Sequence, residues 1–189
     1  LNILLLFFII TFNYEQFVEL PKATANQLAE ETHERVGAVI GSIVMAIVVI
    51  MFYFKGSFNF DKKAKFLKIL AQIWVFLNAI LVISAMLKNT EYIYYLGLTY
   101  KRLGVYAFLS LAIIGLIFTF IKVSKQKTNA YLFNQMFWYV YGTILVCSFI
   151  NWGGIITSHS LKRDDFAANY HFNSVDFNDK QLLEYYQKT

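Results

Sequence analysis

Ser158-His159-Ser160 sets an imidazole between two hydroxyls, the residue types of a base-activated nucleophile. Such chemistry also needs an acid to orient the base and donors for an oxyanion, and neighbours in sequence need not meet in space. Neither accompanies this triplet. Asp176, Asn178, Asp179 and Glu184 offer oxygen ligands for calcium, but without the glycine and spacing of an EF-hand loop. His33 and His159 could share a haem or a metal only if the fold united them, and two partly exposed histidines are the simpler reading. Cys147 is the single cysteine; inside an apolar run it reads as a small buried hydrophobe rather than a reactive thiol. No Cys/His cluster has zinc spacing. Glu30, Glu34, Arg35, Lys101, Arg102 and His159 are the acids and bases that could gather at one surface, as a membrane enzyme would need. No catalytic residue, metal ligand or cofactor is assigned.

The elements that would carry these residues are unusually apolar. Val36–Phe54, Ile69–Leu87, Leu103–Ile121 and the stretch from Tyr131 to Trp152 hold no charged side chain. Arg35 and Lys55, Lys68 and Lys88, and Arg102 and Lys122 bracket the first three. At a rise of ~1.5 Å per residue, each run matches the hydrocarbon thickness of a bilayer. The composition agrees: 58% hydrophobic, 15% charged and 19% aromatic, with mean hydropathy +0.48. The expected fold is therefore all-α, a polytopic transmembrane helix bundle of four full spans with a short helical extramembrane tail.

Leu1–Phe12 is apolar but too short to span, with neither the basic start nor the cleavage site of a signal peptide. It reads as the end of an earlier membrane helix. The expected organisation is then 1–12 for that helix end, 13–35 for an external acidic helical segment, 36–152 for the four-span domain and 153–189 for the tail.

Charge orients the spans. Lys55, Lys62, Lys63, Lys65 and Lys68 face Asp61 in one loop, and Lys122, Lys125 and Lys127 stand without an acid in another. Lys and Arg in short loops favour the cytoplasm. Loops 55–68 and 122–130 are therefore expected inside, and segments 13–35 and 88–102 with the tail outside. The net charge of +5 follows from these loops and implies no nucleic acid.

Several local signals refine the reading. Pro21, and Thr24 with Gln27, resemble a helix start, so Ala25–Arg35 should run unbroken into the first span. There, Gly37 and Gly41 form a G-x-x-x-G pair, with Ala38, Ser42 and Ala46 as a second small-residue row. Such rows let helices approach closely, here against the chain's own helices in preference to a second copy. Gln72, Asn78, Ser84, Asn134, Gln135, Ser148 and Asn151 are expected in the bundle interior; a solute path lined by Gln72, Asn78 and Asn134 is the alternative. Asn89–Tyr106 forms an outer loop in which Gly97 turns the chain and Thr99 caps the next helix. Arg102, near a helix start, either has a specific partner, such as a lipid phosphate, Glu34 or Asp164, or is an anchoring charge that snorkels to the headgroups. In the tail, NWGG (151–154) reads as an exit turn and 155–168 as a short helix. Asn178 with Gln181 suggests a second cap, followed by the apolar stripe Leu182, Leu183, Tyr185 and Tyr186.

Tyr95-Leu96-Gly97-Leu98-Thr99-Tyr100-Lys101-Arg102 resembles a Y-x-G-L-T-x-x-R stretch, and Ala29–Gly37 is similar to a segment of acids, Arg and Gly before a span. Asn151 with Ile155-Ile156, and Asp176 with Leu182, add weaker matches. Together they resemble the C-terminal half of a bacterial polytopic membrane family known as a domain of unknown function (the 4153/4173 type). Trp152 and His159-Ser160 depart from its usual residues. The resemblance implies a bacterial inner-membrane protein and supplies no reaction.

The expected role is a non-enzymatic assembly, signalling or transport-associated subunit. Its partners would be membrane lipids and other subunits, or an N-terminal part of the same protein. Contact residues are expected at Glu34, Arg35, Gly97, Thr99, Lys101 and Arg102. The rivals are an enzyme acting on a lipid or cell-envelope substrate at the outer interface, and half of a transporter.

Overall fold

Pro21 is the only proline, so nothing after it forces a break in a helix. The computed structural model describes residues 1–18, 25–55, 57–163 and 168–188, and every regular element among them is helical, without a strand. The long helices are α1 (Asn2–Val18), α2 (Ala25–Tyr53), α4 (Lys65–Leu96), α5 (Tyr100–Ser124) and α6 (Asn129–Phe149). A one-turn helix, α3 (Ser57–Phe60), and a 3₁₀ turn (Lys62–Ala64) join α2 to α4. Three short helices follow α6: α7 (Trp152–Ser160), α8 (Ala168–Ser174) and α9 (Asp179–Lys188).

Helix α4 is the hub, packing against α1, α2 and α5, while α6 packs on α5. One face of each helix supplies the core. Val39, Ile43, Ala46 and Ile50 of α2 are at most 1% exposed. Leu109, Ala112, Leu116, Thr119 and Val123 form the matching stripe of α5. Both follow the three-to-four-residue spacing of a buried helix face. Asn2 donates to the carbonyl of Leu70 (3.0 Å), and Ser84 donates to Asn13 Oδ1 (2.8 Å). Helix α1 therefore runs parallel to α4, its polar side chains matched at both levels.

The outward faces are apolar. Phe52, Phe66, Phe76, Phe133, Phe137, Trp138 and Ile144 are all more than half exposed. Leu132 is the only buried residue of α6. Such surface is costly in water and natural against lipid tails. Helices α2 (from Val36), α4 and α5 are each long and apolar enough to cross a membrane. A fourth crossing exists if α6 and α7, bent by 64°, count as one broken span.

Four differences from the sequence expectations have local causes. The first helix extends to Val18 instead of ending at Phe12. The fourth run does not continue straight to Trp152: Ile150 is extended (φ −91°, ψ 129°), and Asn151 accepts from Gly154 N–H to start a new helix. NWGG is thus the opening of α7, not an exit turn, and Trp152 Nε1 donates back to the carbonyl of Cys147 (2.8 Å). The tail helix begins at Trp152 and ends at Ser160, earlier than the expected 155–168. The expected unbroken passage from Ala25 into the first span is present as α2. The Pro21 and Thr24 signals lie outside the described residues.

Candidate functional site

The last turn of α4 has carbonyls that no helical N–H can reach. Gly97 ends it at φ +82°, a left-handed conformation that favours glycine, and its N–H bonds to the carbonyl of Ile93. Five residues later Arg102 turns back. Its Nη1 donates to the carbonyls of Leu96 (2.8 Å) and Gly97. Its guanidinium lies 4.0 Å from the Tyr92 ring centre, and Asn89 donates to its carbonyl (3.2 Å). Arg163, at the end of α7, donates to the carbonyls of Tyr94 and Tyr95 (2.9 Å to the latter). Two guanidinium groups therefore cover four successive carbonyls, placing positive charge at the negative end of the helix dipole. Among the described residues, Arg102 meets carbonyls and a ring; the side chains of Glu34 and Asp164, the acids named as its partners, lie outside the described residues.

The tail locks onto this end. The Tyr100 hydroxyl reaches the carbonyl of Asp176 (3.5 Å), and Asn151 Nδ2 donates to the carbonyl of Phe177 (3.0 Å). A methyl group on Gly153 would lie 1.8 Å from the Asp176 oxygen, so the loop fits only because position 153 has no side chain. Beneath it, Thr157, His171 and Asn178 are no more than 3% exposed. The Thr157 hydroxyl pairs with His171 Nδ1 (3.1 Å), and Asn178 Nδ2 donates to that hydroxyl and to the His171 carbonyl (both 2.9 Å). Burial holds the His171 imidazole below its ordinary pKa. Asn178 precedes α9 as expected, but its amide ties the tail together. Leu182 is buried, whereas Leu183 and Tyr186 of the same apolar stripe are exposed.

Two open grooves flank α7. One, about 510 Å³, is bordered by Tyr100, Phe149, Trp152, Asp176 and Phe177. The other, about 480 Å³, is bordered by Asn151, Ser158, His159, Lys162 and Gln181. Ser160 is buried, so the Ser-His-Ser triplet is divided between groove and core. No described carboxylate borders His159's groove. Among the described residues no group of three His, Cys, Asp or Glu side chains could hold a metal.

The remaining expected contacts disperse. Gly37, Ala38 and Gly41 are exposed, with open space where a side chain on either glycine would sit, whereas Ala46 is buried. Thr99 occupies the N-cap of α5 without a side-chain cap bond, and Lys101 is exposed. The side chains of Glu30, His33, Glu34 and Arg35 lie outside the described residues. Asn78 is fully buried and donates to Trp74, while Asn134 is exposed on α6, so these two do not line one path. Sequence reasoning missed Arg163, which carries no motif of its own. It also counted Lys122 as a loop charge, although the residue is 0% exposed in the last turn of α5.

The fold thus defines a class: an all-helical protein with three or four helices fit to cross a membrane. Residues 1–182 match the family model described as a domain of unknown function (DUF4153), and the chain belongs to that family. No curated protein matches it. No solved structure matches it either.

Proposed function

We propose that this chain is a multi-pass bacterial inner-membrane protein acting as a non-enzymatic assembly, signalling or transport-associated subunit. Loops 55–68 and 122–130 face the cytoplasm, and the tail faces the periplasm. The observation that carries the reading is the use of the outer cations: Arg102 and Arg163 are occupied by α4 carbonyls. An enzyme would hold such cations toward a substrate. Lipids contact the apolar faces, and the exposed small residues of α2 offer a surface for another subunit or for an N-terminal part of the same protein.

Cysteine labelling tests the orientation. On a Cys147→Ala background, Lys125→Cys should resist an impermeant thiol reagent in intact cells, whereas Lys180→Cys should react. The reverse pattern defeats the topology. Gentle detergent extraction followed by native mass measurement tests the role. A partner-free monomer would count against a subunit.

A further inference from the structure

The break between α6 and α7 leaves a groove rich in acceptors. Helix α6 ends at Phe149 with no basic residue in its last turn, and its final carbonyls have no helical N–H to meet them. Trp152 Nε1 takes that of Cys147, while among the described residues no donor reaches those of Ser148 and Phe149. Cys147, Ser148, Phe149 and Ile150 all border the groove of about 510 Å³ beside α7. The negative end of a 21-residue helix therefore adjoins it.

The side-chain donors along this groove are already committed. The Ser148 hydroxyl donates to the carbonyl of Ile144 (2.8 Å). Trp152 Nε1, the Tyr100 hydroxyl and Asn151 Nδ2 serve the carbonyls of Cys147, Asp176 and Phe177. At the start of α7, the N–H groups of Trp152 and Gly154 are taken by the Ile150 carbonyl and Asn151 Oδ1. Among the side chains that border the groove, what remains is hydroxyl lone pairs, the rings of Tyr100, Phe149, Trp152 and Phe177, and the carboxylate of Asp176. Asp176 is exposed and is the only charged residue among those described at this border. Spare acceptors, aromatic rings and one negative charge suit a cation that carries its own N–H donors. A phosphate or carboxylate would meet no uncommitted side-chain donor.

We propose that this groove binds a primary ammonium, that of an ethanolamine phospholipid headgroup. Phe149 is 81% exposed and ends the apolar outer face of α6, which places the groove at the level where headgroups meet a bilayer-covered helix. The lipid as source rests on the membrane reading above; the inventory of donors and acceptors does not.

The test is native mass measurement of the full chain, released from detergent micelles that hold equal amounts of phosphatidylethanolamine and phosphatidylcholine. Both headgroups are zwitterionic, and only the first has ammonium N–H donors. Wild type should retain the ethanolamine lipid over the choline lipid by about tenfold. Asp176→Asn should bring the ratio close to one, whereas Asp179→Asn, outside the groove, should leave it unchanged. The recorded contacts of Asp176 run through its main-chain carbonyl, which the amide variant keeps. A second variant, Phe177→Leu, removes a ring that is 82% exposed and should lower the ratio by about threefold. Equal retention of the two lipids by wild type, or a preference that survives both groove variants, overturns the site and leaves the membrane reading standing. Free ethanolamine that displaces the lipid at millimolar concentration would make a soluble amine the occupant and overturn the lipid assignment. A chain that retains no lipid and stays in solution without detergent overturns both readings.

Discussion

Arg102 shows how one side chain can resolve a problem created by the backbone. A 32-residue helix ends with carbonyls facing nothing, and a planar guanidinium with several donors can serve two of them while lying on a ring. Replacing Arg102 with Met should lower stability by about 2 kcal/mol, read as a lower midpoint for thermal unfolding in detergent. Lysine should recover no more than half, because one ammonium cannot keep the same fork of contacts. His171 gives a pH prediction. Its folded pKa is depressed by burial, so the undocked tail binds the proton more readily than the docked one. Docking should be firm above ~6.5, the ordinary histidine value, and weaken as pH falls below it. Protection of the α8 and α9 amides, relative to their intrinsic exchange rates at each pH, should fall with acid, and His171→Gln should flatten that dependence.

At the scale of elements, the bend between α6 and α7 turns on side chains too small to register as hydrophobic pattern. Gly153→Ala should drive the Asp176–Phe177 loop off α7, since its methyl would overlap a carbonyl oxygen. Limited proteolysis should then cut between α8 and α9 while leaving α4 and α5 intact. Cleavage identical to wild type would show that the loop adapts. The spans were legible because charge-free runs of fixed length have few other solutions in a bilayer. The Gly97–Arg102 spacing was legible as a motif but not as a cap, because an arginine's partner depends on the path of the chain after it. Arg163 and Asn59 were invisible for a similar reason: each acts on carbonyls more than 60 residues away. The small-residue row of α2 shows the opposite limit, since its spacing was plain and its open face was not.

At the scale of the molecule, the two ends of the bundle differ in how their cations are treated. One end matches its arginines to carbonyls, and the other buries Lys122, whose Nζ has no hydrogen-bond partner among the described residues. Helix α6 stands apart, with one buried residue and a largely apolar surface. Tryptophan fluorescence offers a check, because Trp138 is 60% exposed. Brominated lipid should quench it strongly in nanodiscs, and weak quenching would mean that protein rather than lipid covers that face.

The clamp on α4 also sets a schedule. Arg163 lies 68 residues after Tyr95, beyond three further helices. A ribosome builds the chain from its amino end, so α4 is threaded long before its second guanidinium exists. During that interval the carbonyls of Tyr94 and Tyr95 must rely on water or headgroups. The closing latch arrives only after α5, α6 and α7 have been made, and a nascent chain halted before Arg163 would keep that end of α4 frayed.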